Sequence, residues 1–153
     1  MISYGISKNY SLPIQTVLKQ LPKELTKKGF SVLSTYDIEE TFNEHLGVSF
    51  KPYYIISAAI LPLAYKALLK EEHFGVVLPC NVAVFKKSDQ TVVTGINPNT
   101  FMHVINNENL NEGALVVERK LREVLIALEK RENKLKREKN SYKATKQLDK
   151  VVA

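Results

Sequence analysis

The stretch GFSVLSTYDIEETFNEHLGVSFKPYYIISAAILPLAYKALLKEEHFGVVLPCNVAVF, from Gly29 to Phe85, changes its hydrophobic period repeatedly, and the order of the changes decides the fold. Phe30, Val32, Ser34 and Tyr36 alternate with Ser31, Leu33 and Thr35, and the β-branched and aromatic bias is that of a strand. Asp37 then precedes IEETFNEHLG, a short helix whose Glu39 and Glu40 suit the positive end of its dipole and whose Gly47 closes it. The run from Pro52 to Leu61, PYYIISAAIL, is almost continuously apolar, which predicts a core strand covered on both faces or central in its sheet. Pro62 opens PLAYKALLKEEHFG, with Leu63, Ala67 and Leu68 on one stripe and Gly75 at its end, predicting a helix.

Upstream, Ile2, Tyr4 and Ile6 alternate with Ser3, Gly5 and Ser7, predicting a first strand. Ser11 as cap and Pro13 in the first turn introduce a helix with Ile14, Val17, Leu18, Leu21 and Leu25 on one face, ended by Gly29. Pro22 inside it removes a backbone hydrogen bond, a cost of about 3 kcal/mol, and predicts a bend near residues 18–22. Downstream, VVLPCNVAVFKKSD and QTVVTGINP read as two strands joined by a hairpin at Lys86 to Gln90. The Asn-rich segment from Asn97 to Gly113 predicts an irregular loop, in which FMHVI could form a turn of helix or a short strand. The expected fold is α+β, with helices packed on one face of a mostly antiparallel sheet and an extra long C-terminal helix. A glycine-rich turn after the first strand is missing, which argues against a doubly wound nucleotide fold.

With 153 residues, 44% apolar, 25% charged and one cysteine, the composition excludes collagen-like, disulfide-framework and wholly disordered classes. It suits one domain over residues 1–117 with a basic amphipathic appendage over 118–153. The lone Cys80, the lack of an apolar run of membrane-spanning length and the lack of a leader pattern fit a cytoplasmic protein without a transmembrane segment. The net charge of +6 is local: residues 118–153 hold 12 of the 22 Lys and Arg and 6 of the 16 acids, so residues 1–117 balance. Leu121, Leu125 and Leu128 form a short apolar stripe that thins at Glu132, Lys139 and Tyr142, predicting a helix docked through its first turns and fraying into a basic tail.

Around Pro62 and Pro79 the stretch quoted above resembles a small bacterial and archaeal family, the domain of unknown function DUF302. The likeness rests on Gly29-Phe30, Asp37, Leu46-Gly47, Phe50 with Pro52, Pro62-Leu63-Ala64 and Leu78-Pro79-Cys80, and covers roughly residues 12–98. The resemblance implies a compact α+β fold, frequent homodimers and no established activity. The chain departs from the family at Ile60-Leu61-Pro62, where relatives commonly carry Cys-Asn-Pro or Gly-Asn-Pro, and at Asn97-Pro98, where an acid often precedes the proline.

Catalytic chemistry has few candidates. His45, His73 and His103 stand apart, with no HExxH, no CxxC and no second cysteine, so no metal set is expected and no cofactor is named. His45 and His73 fall at helix C-terminal ends, where a cationic ring suits the dipole. Asp37 reads first as a helix N-cap and second as a general base, and Cys80 reads as a buried thiol, a ligand-site residue or a redox centre. The leading expectation is a homodimeric small-ligand or partner-binding module without established catalysis, its pocket between helices and sheet near Asp37, Tyr54, Cys80 and His103. One alternative is a thiol- or carboxylate-based enzyme or redox protein using Cys80 or Asp37. Another is an adaptor for nucleic acid or an anionic surface, acting through Lys130, Arg131, Lys134 and Arg137.

Overall fold

The computed structural model describes residues 4–152, so Ile2 and Ser3 of the predicted first strand lie outside the described residues. The elements are β1 (Gly5–Tyr10), α1 (Ile14–Lys27), β2 (Ser31–Asp37), α2 (Ile38–Leu46), β3 (Tyr53–Ala59), α3 (Leu61–Lys70), β4 (Cys80–Lys87), β5 (Gln90–Ile96), α4 (Asn99–Ile105) and α5 (Asn111–Val152). Two 3-10 turns, Glu72–Val77 and Glu108–Leu110, link α3 to β4 and α4 to α5. The strands form one sheet in the order β1-β5-β4-β3-β2, and every neighbouring pair is antiparallel. The fold is therefore α+β, as expected. The apolar strand β3 is internal, but the central place goes to β4.

Alternation along the strands sends Ile6 and Tyr10 of β1, Ile56 and Ala58 of β3, Val82 and Val84 of β4 and Val93 of β5 into one core beneath α1 and α5. Helix α1 contributes Val17, Leu21 and Leu25, each 0% exposed. It runs unbroken through Pro22 because the buried stripe outweighs the one missing hydrogen bond. Ser11 does not cap this helix. The cap position is Pro13, with no side-chain bond, and the Ser11 amide instead donates to the carboxylate of Glu132 on α5.

Helix α5 crosses the sheet, and its packed part is pinned to β1 and to the end of α1. The Tyr10 hydroxyl donates to the Leu125 carbonyl at 2.7 Å, Lys8 pairs with Glu129 at 2.6 Å, and Lys28 pairs with Glu123 at 3.3 Å. Its last half-buried contact is Leu135, yet the helix continues to Val152 with every residue from Lys136 on exposed. The expected fraying tail is thus continuous helix, supported by lysines and acids at helical spacing such as Lys134 and Glu138.

The segment from Asn97 to Gly113 is ordered rather than irregular. Asn97 accepts from the Asn99 amide at the start of α4, Asn107 accepts from the Asn109 amide at the second 3-10 turn, and Asn106 closes α4 at φ 51. Asn97, Asn106 and Asn107 thus serve the ends of short elements, while Asn99 lies inside α4 and donates to Glu118. Gly75 likewise lies inside a 3-10 turn, after α3 has ended at Lys70, and this places His73 in that turn rather than at a helix C-terminus.

Candidate functional site

At the end of the sheet where β3 stops and β4 starts, α3, α4 and the first turns of α5 meet over a second, smaller apolar cluster of Met102, Leu110 and Ala114. Between this cluster and the sheet lies a cavity of about 250 Å³. Its walls include Leu63 and Ala67 of α3, Phe101 and Met102 of α4, Val117 of α5, and Cys80 at the first position of β4. The helical spacing of each group explains why they converge: Leu63 and Ala67 are four apart, and Leu110, Ala114 and Val117 are four and three apart. The mouth is polar. Lys66 and Lys70 stand one turn apart on α3, Lys70 donates to the Asn109 carbonyl at 3.1 Å, and Glu112 opens α5 beside them.

Cys80 is the one residue of the sequence-derived quartet that lines this cavity. Burial pushes its thiol up to about 11, so at neutral pH it is a protonated, weakly nucleophilic group. Asp37 and Tyr54 face each other as strand partners, but Cys80 pairs with Ala58, four residues farther along β3, about 13 Å away. They occupy the opposite end of the sheet. Asp37 does what a cap does: its carboxylate accepts from the Glu40 amide at 3.0 Å, and Tyr54 packs on the main core. His103 is exposed in the last turn of α4, next to Met102, which does enter the cavity. His45 Nδ1 lies 3.0 Å from the Thr41 carbonyl in the last turn of α2. No cluster of three or more His, Cys, Asp or Glu suited to a metal ion occurs among the described residues.

The cavity walls contributed by α4 and by the start of α5 escaped the sequence reading. Their signal was the spacing Leu110, Ala114, Val117, Leu121, which extends the C-terminal stripe backwards into the Asn-rich segment. Lys130, Arg131, Lys134 and Arg137 are all exposed on α5, with Lys130, Lys134 and Arg137 on the side away from the sheet.

The second face of the sheet is not covered by α1 or α5. It presents Ser7 and Thr94, joined by a hydrogen bond of 2.7 Å, with Ile55, Ala83 and Phe85 beside them. Tyr53 stacks on Phe85 at 5.1 Å between ring centroids, and Phe50 and Phe42 extend the aromatic row toward α2. Among the described residues, no helix is long and apolar enough to cross a membrane.

The family model described as the domain of unknown function DUF302 matches residues 6–128. The crystal structure of an uncharacterized conserved protein DUF302 from Bacillus stearothermophilus is similar in fold, with a TM-score of 0.75 at 23% sequence identity, covering 81% of this chain and 97% of that one. Among curated proteins none matches.

Proposed function

Because the chain belongs to the family of the domain of unknown function DUF302, whose name assigns no activity, we propose a function from its own site: a homodimeric, cytoplasmic module that binds a small, largely apolar ligand. The observation that carries this reading is the cavity of about 250 Å³, apolar in its walls and charged at its mouth. Ligand sites commonly combine apolar walls with a few polar groups that fix orientation, and the volume suits a small molecule rather than a drug-sized one. Lys66 and Lys70 favour a ligand with an anionic or hydrogen-bond-accepting end. The uncovered sheet face supports the homodimer. A monomer gains by covering a face that bears Ile55, Ala83 and stacked Tyr53 and Phe85, and a second copy of the same face is self-complementary.

Binding of an anilinonaphthalene sulfonate dye to the full chain tests the cavity. The wild type is expected to bind saturably, and Ala67→Phe, which fills the space, is expected to lose most of the signal with unchanged circular dichroism. Ala64→Leu serves the same purpose with a smaller side chain. Undiminished dye binding in folded variants contradicts the reading.

A further inference from the structure

The half of α5 that leaves the body carries a pattern distinct from the cavity. Lys136, Lys139, Lys143, Lys146 and Lys150 are spaced three, four, three and four residues apart, so they form one row about 21 Å long. The row continues the side of the helix that packs on the sheet through Leu121, Leu125 and Leu128. Where the sheet ends, the seam turns from leucine to lysine, and all five lysines are exposed. The acids of α5 are largely matched already: Glu118 with Arg122 at 2.8 Å, Glu123 with Lys28, Glu129 with Lys8, Glu132 with Lys136 at 3.6 Å, and Glu138 with Lys134 at 3.9 Å. Lys139, Lys143, Lys146 and Lys150 have no ion pair among the described residues. The bonds of Tyr10 to Leu125 and of Ser11 to Glu132 fix where the helix emerges, and the β4–β5 turn at that same end of the sheet adds Lys86 and Lys87 against Asp89.

We propose that this lysine row docks on the phosphate backbone of a nucleic-acid duplex. Lysines are point charges suited to phosphates, and a row of them without base-reading side chains binds backbone rather than sequence. A second copy is a poor occupant, because two such rows repel. A membrane surface fits less well. Leu148 and Val152 lie on the opposite side of the helix, so apolar insertion would turn the lysines away from the lipid, and residues 136–152 hold no Trp or Phe. The family match ends at residue 128, so the row belongs to a part of this chain outside it.

The test is fluorescence anisotropy of the full chain with a mixed-sequence DNA duplex and an RNA duplex across a salt series. Wild-type protein is expected to bind at least one of them. Replacing Lys139, Lys143, Lys146 and Lys150 by Gln is expected to weaken binding about tenfold or more and to flatten the log K against log salt slope by about 3 to 4, near 0.9 per phosphate contact. Replacing Lys130, Arg131, Lys134 and Arg137 by Gln makes the same charge change elsewhere and is expected to leave most of the slope. Equal losses in the two variants, with helicity retained, overturn the row as the site. So does the absence of duplex binding in the wild type, including the case in which it binds only vesicles of phosphatidylcholine and phosphatidylserine.

Discussion

At Gly95 of β5 the Leu121 side chain of α5 comes close to the strand. A Cβ there would overlap the Leu121 side chain, so the absence of a side chain at this position of β5 lets Leu121 sit against the strand. Gly95→Ala is expected to destabilise the protein by about 1–3 kcal/mol, read from the urea unfolding midpoint. Gly113→Ala, in the first turn of α5 with nothing within 4 Å of the added carbon, is expected to be neutral or to stabilise by up to about 1 kcal/mol. A similar loss in both would contradict the close approach. Cys80 sets a second test at this scale. Its folded-state value of about 11 lies above the ordinary 9, so the fold favours the neutral thiol. Its contribution to stability is therefore complete below pH 9 and disappears as pH rises from 9 to 11. Alkylation of the native protein is expected to accelerate with a midpoint near pH 11, and a midpoint near 9 would contradict the buried environment. Tyr10 is shifted upward as well, by burial and by the neighbouring Glu129 and Glu132, which adds to alkaline destabilisation.

Helix α5 divides at Leu135 into a packed part and an exposed part. A chain ended after Leu135 is expected to unfold within about 1 kcal/mol of the full chain, because the residues beyond are exposed. Leu128→Ala, at a position 0% exposed, is expected to cost about 2–5 kcal/mol. Comparable losses from both changes would show that the projecting helix packs on something. At this scale periodicity carried most of the reading. β1, β2, α1 and α3 were legible because their apolar residues repeat at two or at three and four, β3 because its run is almost continuously apolar, and α2 from its first-turn acids and closing Gly47. The stretch from Asn97 to Leu110 was not, because asparagine side chains imitate a loop in composition while capping a short helix in space. Ser11 misled for a related reason: a hydroxyl beside a helix start suggests a cap, but Ser11 meets α5 instead, its amide donating to Glu132, 121 residues away, and its hydroxyl accepting from Lys136.

For the whole molecule, the antiparallel sheet with helices over one face followed from the order of elements, whereas the location of the cavity did not. Asp37, Tyr54, Cys80 and His103 are polar or reactive side chains linked by no common spacing, and the fold distributes them over both ends of the sheet. Only tertiary structure brings α3, α4 and α5 together at the Cys80 end, where they supply the apolar wall together with Lys66, Lys70 and Glu112. The uncovered sheet face belongs to this scale too. Ile55→Glu, on the β3 part of this face, is expected to leave the fold intact while shifting the protein to monomer by analytical ultracentrifugation; an unchanged sedimentation coefficient would place the interface elsewhere. Native mass spectrometry of the full chain tests the dimer and its bound ligand most directly. The expected spectrum is a dimer carrying a small non-covalent mass that Ala67→Phe does not retain. A bare chain at monomer mass would contradict it.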